Sequence, residues 1–356
     1  MTRTPPNMRA SAPSTAGWRG LIIACILIVI GGCSGQREIR IAGRTMGTTY
    51  HVTVIGGYLT SVAKLKKAID TRLEAINASM STYRPESAIS RFNRFQETGT
   101  AFPVDPDFYR VATLSRVLFD ITAGAWDGTV DPLVDLWGFG RSQRSARIPS
   151  EAEINAALAR VGFDLIDTSR TGALIKRHPR VTLDLASVAK GYGVDAVAEL
   201  IRRQGFTDFL VEVGGEVYAS GVRQDGRQWR IGINRPDAGA PVNQVYKVVA
   251  LQDRAFATSG DYRIFFELDG QRFSHVIDPR TGRPVTNRVV SVSVTAATCA
   301  RADGLATALM VMGADEGLKL VNSLSDTECL IVVRDTNGHL VDHFSHSFRR
   351  YTEAAG

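Results

Sequence analysis

The stretch Arg180–Gly205, RVTLDLASVAKGYGVDAVAELIRRQG, decides the fold because two regular patterns meet within it. Its first residues, Arg180–Leu185, predict a strand. Ser187–Gln204 predicts a helix that closes at Gly205, since glycine is the usual residue just past the end of a helix. Asp208–Val213 then predicts a second strand, so strands and helices alternate along this part of the chain.

The same alternation extends in both directions from this stretch. Further strands are predicted at Thr48–Ile55, Trp229–Ile233, Tyr246–Leu251, Tyr262–Leu268, Arg272–Ile277, Val289–Val294 and Cys329–Arg334. Apolar residues at helical spacing predict helices at Ser61–Met80, Asp107–Ala123, Ser150–Val161, Arg301–Gly313 and Asp315–Leu324. Asp269-Gly270 lies between two predicted strands, which is a hairpin signal. We therefore expect an α+β protein with a mostly antiparallel sheet and helices packed against it.

Composition excludes several classes of protein. Of 356 residues, 44% are hydrophobic and 22% are charged, which is globular composition and not that of a disordered, collagenous or multi-span membrane protein. The net charge is +6, but no run of Lys and Arg with interleaved aromatic residues supports nucleic-acid binding. Four cysteines without a Cys/His cluster suggest neither a disulfide scaffold nor a zinc site. Cys299 and Cys329 remain able to pair in an oxidising compartment.

Residues 1–32 have the pattern of a lipoprotein signal peptide. They hold three arginines and no acid, and the apolar run Leu21–Ile30 is about 15 Å long as a helix, half of what a bilayer core requires. Gly31-Gly32-Cys33 after this run resembles a bacterial lipobox. We expect Cys33 to be lipidated and residues 33–42 to tether the protein to the cell membrane on its periplasmic, extracytoplasmic side. The alternative is an ordinary signal peptide with an incidental cysteine.

Eight polar or glycine-rich stretches interrupt the predicted elements. They are TMGTT (45–49), MSTYRP (80–85), AWDGTVDPL (125–133), LDLASVAKGY (183–192), VGGE (213–216), ATSGDY (257–262), HVIDPRTG (275–282) and ADGLATA (302–308). In this order they resemble the FAD:protein FMN transferases, the ApbE family, over about residues 43–345. The resemblance implies a T-fold-like single catalytic domain in two intimate lobes, with 346–356 as a C-terminal tail.

Asp303 and Thr307 are candidate ligands for Mg²⁺. They stand four residues apart at the start of a predicted helix, so both side chains project from one face. A carboxylate and a hydroxyl suit a hard cation. The alternative is an acid that complements the helix dipole beside a buried threonine. The family resemblance favours the metal pair and adds Ser187 as a third oxygen ligand, through its main-chain carbonyl.

The resemblance also implies a set of contacts to FAD, the substrate. Asp184 and Lys190 lie at a predicted helix start, where main-chain N–H groups can face a pyrophosphate; the alternative is that Asp184 and Ser187 cap the helix and that Lys190 is solvated. Tyr83 follows a helix and is suited to stack on an isoalloxazine ring. The remaining positions implied as flavin contacts are Met46, Ala125, Trp126, Asp127 and the main chain of Ile277. Trp126 is equally consistent with a core position.

His275 is the candidate catalytic base. It opens the sequence His-Val-Ile-Asp-Pro at the end of a predicted hairpin strand, and a neutral imidazole accepts a proton near neutral pH. The alternative is a structural histidine bonded to the following turn.

The activity implied by the resemblance is Mg²⁺-dependent transfer of FMN from FAD to a threonine or serine hydroxyl of an acceptor protein, with release of AMP. The implied acceptor is a subunit of a membrane redox complex, for example of the Na⁺-translocating NADH:quinone reductase or Rnf type. Two alternatives stay open. One is an Mg²⁺-dependent FAD pyrophosphatase, and the other is a non-catalytic flavin-binding lipoprotein, against which the presence of Asp303 and Thr307 argues.

Overall fold

The computed structural model of the chain describes residues 1–2, 35–140, 147–237, 239, 241, 244–260, 265–268 and 271–353. Eight helices occur in these ranges: α1 (Val62–Met80), α2 (Ala88–Arg94), α3 (Pro106–Ile121), α4 (Asp131–Leu136), α5 (Glu151–Leu158), α6 (Ala186–Arg203), α7 (Cys299–Ser323) and α8 (Arg349–Glu353). Gly313, at φ 81°, breaks α7 where two helices are predicted. Ser150 and Glu153 form a capping box at the start of α5.

Eight strands form one sheet in which every neighbouring pair is antiparallel, as predicted. In spatial order they are β1 (Gln36–Thr45), β2 (Thr48–Gly57), β6 (Phe209–Val213), β7 (Glu216–Ser220), β10 (Arg254–Gly260), β15 (Val289–Ala296), β16 (Glu328–Arg334) and β17 (Leu340–Phe344).

Nine further strands complete the described structure. Three form a small sheet and six pair as ribbons: β3 (Ala101–Pro103), β4 (Ile166–Asp167), β5 (Ala173–Lys176), β8 (Trp229–Asn234), β9 (Val245–Leu251), β11 (Phe265–Leu268), β12 (Gln271–Ser274), β13 (Ile277–Asp278) and β14 (Arg283–Pro284). β11 pairs with β12 as the hairpin signal predicts, while its turn, Asp269-Gly270, lies outside the described residues.

The inner strands β7 and β15 of the central sheet are buried on both faces, whereas the edge strand β1 alternates between buried and exposed residues. Along β10, Ala257 joins the core that includes α3, α6 and α7, whereas Phe256 faces the opposite core. Trp229 and Val249 of the β8–β9 ribbon and Phe348 before α8 cover this second face. All eight residues of β15 are therefore buried, although valine alternates with serine or threonine from Val290 to Thr295.

The predicted strand Arg180–Leu185 is wrong. These residues join no sheet. The side chain of Asn93 takes the place of a strand partner: its Oδ1 accepts from the main-chain N–H of Leu183 (2.8 Å), and its Nδ2 donates to the Leu183 carbonyl (2.9 Å). The main-chain N–H of Asp184 donates to the carbonyl of Gly128 (2.7 Å). A local pattern cannot reveal a partner ninety residues away along the chain.

The folded part of the chain is longer at both ends than the boundaries predicted from the motifs. β1 begins at Gln36, inside the predicted tether, because Ile39 and Ile41 are buried against the helical layer. Phe348 and Tyr351, inside the predicted tail, are buried in the second core. The predicted signal peptide and Cys33 lie outside the described residues, apart from residues 1–2.

Cys299 and Cys329 are both buried free thiols, so no disulfide joins them. Within the described ranges, no helix is long and apolar enough to cross a membrane.

Candidate active site

Five of the residues singled out in the sequence line one cavity of about 240 Å³. They are Ser187, Lys190, His275, Asp303 and Thr307. The N-terminal halves of α6 and α7 supply four of them, and His275 comes from the segment between β12 and β13. The rest of the lining comes from Glu216, Thr258, Ser259, Gly260, Val276 and Met310. Motifs that are far apart in sequence thus converge on one cavity. It lies where the N-terminal parts of two helices meet the start of β7 and the end of β10.

Three charged groups dominate the electrostatics of the cavity. Lys190 Nζ lies 2.6 Å from Oε1 of Glu216, whose side chain is 3% exposed. Burial raises the pKa of Asp303 well above its ordinary value, and repulsion from Glu216 adds to this. Burial likewise raises the pKa of Glu216. Burial opposes the charge on Lys190, but attraction to Asp303 and Glu216 outweighs it and raises the lysine pKa.

Asp303 is held by the neighbouring helix. Its Oδ2 accepts from the main-chain N–H of Gly191 (3.0 Å), and a Cβ at position 191 would lie 2.4 Å from the Cys299 carbonyl oxygen. Glycine is therefore required for α6 and α7 to approach this closely. The alternative role for Asp303, complementing the α7 dipole, is filled instead by Asp195, which accepts from the main-chain N–H groups of Cys299 (2.7 Å) and Ala300 (2.9 Å).

Hydroxyl groups also line the cavity. Thr307 Oγ1 lies 3.3 Å from Ser259 Oγ, on β10. Ser187 Oγ accepts from Nε1 of Trp126 (3.1 Å). Trp126 is 1% exposed and belongs to the core, which supports the core alternative for this residue. The hydroxyl side chains thus leave a polar, oxygen-rich wall next to Asp303.

His275 is half-buried at the mouth of the cavity. Its ring lies edge-on to Phe139, with centroids 6.4 Å apart. The position is compatible with a proton acceptor, while the assignment as base stays a prediction.

The predicted flavin contacts do not all lie at the cavity. Met46 occupies the tip of the β1–β2 hairpin with φ 49°, a left-handed conformation that strains a non-glycine residue. Tyr83 is 82% exposed in the turn after α1. The Tyr83 side chain therefore lies at the surface and not in the core.

The remaining predicted contacts have structural roles in the chain itself. Asp184 Oδ1 accepts from the main-chain N–H of Ala186, the first residue of α6 (2.8 Å). Ser187 Oγ accepts from Trp126 and Lys190 is paired with Glu216, so the alternative in which Asp184 and Ser187 both cap the helix and Lys190 is solvated does not match the structure. Asp127 is buried and accepts from the N–H and hydroxyl of Thr129, and burial raises its pKa to about 6. Ala125 and Ile277 are buried, and Ile277 pairs with Pro284 in the β13–β14 ribbon.

Sequence reasoning missed Glu216 and Asp195 as individual residues. The signal for Glu216 was the preceding Gly214-Gly215, both at positive φ, which turn the chain so that an acid opens β7 inside the cavity. Asp195 lies four residues after Gly191 on α6, hence on the face that meets α7. Neither role was readable without the packing of the two helices.

The donor atoms around the cavity fit Mg²⁺. Glu216 Oε2 is buried and has no hydrogen-bond partner, and one ammonium group faces two buried carboxylates. The described residues contain no group of three or more His, Cys, Asp or Glu side chains that could hold a metal. A cation here would therefore take hydroxyl, main-chain and water oxygens beside a carboxylate, which suits a hard ion and excludes a zinc-type site.

A larger cleft of about 730 Å³ lies between α1, α3 and α6. None of the predicted site residues lines it, and its charged side chains have both signs, including Arg72 and Asp107 in a bidentate ion pair. The predicted site residues that line a cavity therefore lie at the smaller one.

Comparisons with known proteins agree with this picture. The ApbE family model matches residues 46–331. The FAD:protein FMN transferase of Vibrio cholerae is 40% identical over 333 residues, which span 93% of this chain and 98% of that protein. The FAD:protein FMN transferase of Haemophilus influenzae is 38% identical, over 94% of this chain and 97% of its own.

Solved structures give the same result. The flavin transferase ApbE from Vibrio cholerae superposes with a TM-score of 0.80 at 39% identity, covering 89% of this chain and 100% of that one. The apo form of the flavinyl transferase ApbE from Pseudomonas stutzeri superposes with a TM-score of 0.80 at 35% identity, covering 90% and 98%.

Proposed function

The chain belongs to the ApbE family and is a flavin transferase, and from this premise we propose that it moves FMN from FAD to a threonine or serine hydroxyl of an acceptor protein, with release of AMP. The observation that carries the proposal is the convergence of Ser187, Lys190, His275, Asp303 and Thr307 on one cavity.

We propose that Asp303 and Thr307, with the main-chain carbonyl of Ser187, would hold Mg²⁺. The ion would offset the charge that develops on the departing phosphate. The buried carboxylates support this assignment, since each raises the cost of ionising the other until a cation arrives.

The cavity is suited to the reacting phosphates and not to the whole dinucleotide. Its volume of about 240 Å³ is below the range of roughly 300–1,000 Å³ that encloses complete small-molecule ligands. Lys190 is placed to pair with the pyrophosphate. The isoalloxazine ring would extend outward, where the exposed ring of Tyr83 offers a stacking surface.

The proposed reaction is an in-line displacement at the FMN-side phosphorus of FAD. The acceptor hydroxyl oxygen forms a bond to this phosphorus as the bond to the bridging anhydride oxygen breaks, and that oxygen leaves with AMP. His275 takes the hydroxyl proton. FMN stays on the acceptor through a phosphoester bond.

We propose that the enzyme works at the outer side of the cell membrane, tethered through a lipid on Cys33. The support is the sequence alone: a short apolar run followed by Gly31-Gly32-Cys33. The acceptor would then be an extracytoplasmic segment of a membrane redox subunit.

The proposal is tested by incubating the enzyme with FAD, Mg²⁺ and an acceptor flavoprotein domain, and following acceptor mass and AMP together. We expect one FMN on the acceptor per AMP released, and no labelling when the acceptor hydroxyl residue is replaced by valine. His275→Ala is expected to slow labelling by at least about 100-fold, while His346→Ala, at an exposed position, leaves it unchanged. AMP and free FMN without labelled acceptor would instead establish a pyrophosphatase.

A further inference from the structure

The loop between β2 and α1 exposes an unusual concentration of apolar side chains. Leu59 is 101% exposed and Tyr58 is 67% exposed, and Val62, in the first turn of α1, is 36% exposed. Among the described residues, exposed large hydrophobic side chains otherwise occur singly. Exposed apolar side chains that lie together, unlike those scattered singly, are typical of a surface that contacts a membrane or another protein. Tyrosine in particular is enriched where a membrane meets water.

The chain enters the domain directly beside this loop. A Cβ at Gly35 would lie 2.4 Å from Cε2 of Tyr58, so the main chain at position 35 packs against the tyrosine ring. Gln36 pairs with Gly57 at the first rung of the β1–β2 ladder. Only Ser34 separates Gly35 from Cys33. An extended chain spans at most about 3.6 Å for each residue. Any lipid on Cys33 would therefore be attached only a few residues from the main chain that packs against Tyr58.

Basic side chains lie near the apolar group, one in contact with it and two close to it in sequence. The guanidinium of Arg37 lies over the Tyr58 ring, 5.9 Å from its centroid. Lys64 and Lys67, near the start of α1, are exposed. Apolar and aromatic side chains with cationic ones nearby match the interface of an anionic bilayer, where the apolar groups enter the acyl boundary and the cations meet phosphates.

The candidate active site lies at the other end of the same strands. β1 runs from Gln36 to Thr45, and the hairpin tip at Met46-Gly47 lies on the cavity side, where Thr48 meets Gly214 beside Glu216. At about 3.3 Å per residue, a strand of this length separates the two ends by roughly 30 Å.

We propose that Tyr58, Leu59 and Val62 form a second membrane contact that, together with a lipid on Cys33, holds the sheet upright on an anionic bilayer. The cavity then faces away from the membrane at a height of roughly 30 Å. This inference rests on the proposed lipid anchor and is independent of the chemistry at the site. A flexible lipid alone limits only the distance between the domain and the membrane, whereas a second contact also fixes the orientation of the domain. The acceptor segment must then present its hydroxyl at that height above the membrane.

The test uses the mature full chain reconstituted in vesicles containing anionic lipid. An environment-sensitive fluorophore is placed on Leu59→Cys, which is safe for folding because Leu59 is fully exposed. Arg44→Cys, exposed eight residues along β1 from Gln36, is the matched control. Cys299 and Cys329 are buried and do not compete for the label.

We expect nitroxide-bearing lipids to quench the label at position 59 several-fold more than the label at position 44. Equal quenching at both positions would overturn the proposal. Shielding at position 59 that persists in detergent without vesicles would also overturn it, since a second copy or the chain's own N-terminal segment would then cover the loop.

A parallel assay separates this inference from the proposed chemistry. Here the fluorophore is placed on Val62→Cys, and its quenching by nitroxide-bearing lipids is compared with that of the label at position 44. Tyr58→Ser/Leu59→Ser should abolish the difference in quenching between these two positions. FMN transfer to a soluble acceptor in detergent should stay unchanged in the same variant. Loss of transfer in every form of the protein would count against the proposed function while leaving the quenching result to decide the orientation.

Discussion

Lys190 carries a positive charge into a cavity that also holds two buried carboxylates, and its contact with Glu216 makes it a resident counter-ion. Removing one member of a buried ion pair is costly because the other charge is left without compensation. Asp303 and Glu216 would then repel each other at close range. The role expected of Lys190 toward the pyrophosphate is therefore linked to the stability of the empty site.

Lys190→Met is predicted to lower the stability of the metal-free protein by about 3 kcal/mol. Addition of Mg²⁺ should restore more stability to this variant than to the parent, because the ion compensates the charge that the lysine balanced. Thermal unfolding with EDTA and with Mg²⁺ measures both effects. Lys64→Met, at an exposed position, serves as control. Identical Mg²⁺-induced shifts in parent and Lys190→Met would contradict this role.

Lys176 gives a separate prediction, for the pH dependence of stability. Its side chain is buried, Nζ donates to the Asn93 carbonyl (3.2 Å) and lies 4.8 Å from the centroid of Phe92, and burial lowers its pKa to about 8. Since the unfolded chain keeps the ordinary pKa near 10.5, it binds more protons than the folded protein between pH 8 and 10.5. Stability is therefore expected to rise with pH through this window.

Lys176→Met should remove that rise and make the protein more stable at pH 7, where the cost of the buried charge is fully present. Denaturant unfolding at pH 7, 8, 9 and 10 checks both effects. A less stable methionine variant at pH 7 would show that the contacts to Asn93 and Phe92 outweigh the desolvation of the ammonium group.

The approach of α6 to α7 positions the site at the scale of elements. Gly191 is predicted to be irreplaceable: in Gly191→Ala the new Cβ would meet the Cys299 main chain, push the helices apart and draw the N–H away from Asp303. Overpacking of this kind costs about 2 kcal/mol. The variant should also lose most of its Mg²⁺-induced thermal shift.

Gly193→Ala is the matched control on the same helix. Its Cβ would lie 3.0 Å from the terminal methyl of Met46, a flexible side chain that can move. Replacing glycine by alanine in a helix gains up to about 1 kcal/mol. We expect unchanged or slightly higher stability, measured by the same unfolding experiment. Equal losses for the alanine variants at 191 and 193 would show that helix packing at Gly191 is not special.

Elements with a local signal could be predicted from the sequence, and those defined by distant partners could not. Helix α1 shows its apolar periodicity, and the capping box at Ser150 marks the start of α5. Strand β10 escaped prediction because it shows no alternation: Ala255, Phe256 and Ala257 are buried in succession, and the polar Thr258 and Ser259 that follow line the cavity. Arg180–Leu185 has strand composition, but its partner is the side chain of Asn93.

The candidate site, too, could be predicted from the sequence only where its residues belong to a local motif. The family resemblance identified the motifs, and the structure brings Ser187, Lys190, His275, Asp303 and Thr307 together. The sequence does not show that Glu216 is the acid that pairs with Lys190, because this pair depends on how β7 packs against α6.

At the scale of the whole molecule, one antiparallel sheet separates the candidate active site from the proposed membrane contact. Its helix-covered side and one end of its strands form the cavity, while the other end bears the chain entry and the exposed loop at Leu59. A lipid-tethered transferase organised in this way would reach an acceptor held above the membrane. This proposal holds only if the proposed metal-dependent transfer takes place in the cavity lined by Asp303, at the end of the sheet opposite the exposed loop.

The most direct test of this claim is the mass of an acceptor flavoprotein domain after incubation with the enzyme and FAD. Asp303→Asn keeps the side-chain volume and an acceptor for the Gly191 N–H, and Asp315→Asn, exposed on the same helix, is the control. We expect a gain equal to one FMN with the parent and Asp315→Asn in Mg²⁺, and none with EDTA. Labelling by Asp303→Asn should be at least about 100-fold slower. Labelling by Asp303→Asn at the parental rate, or labelling that persists in EDTA, would contradict the account.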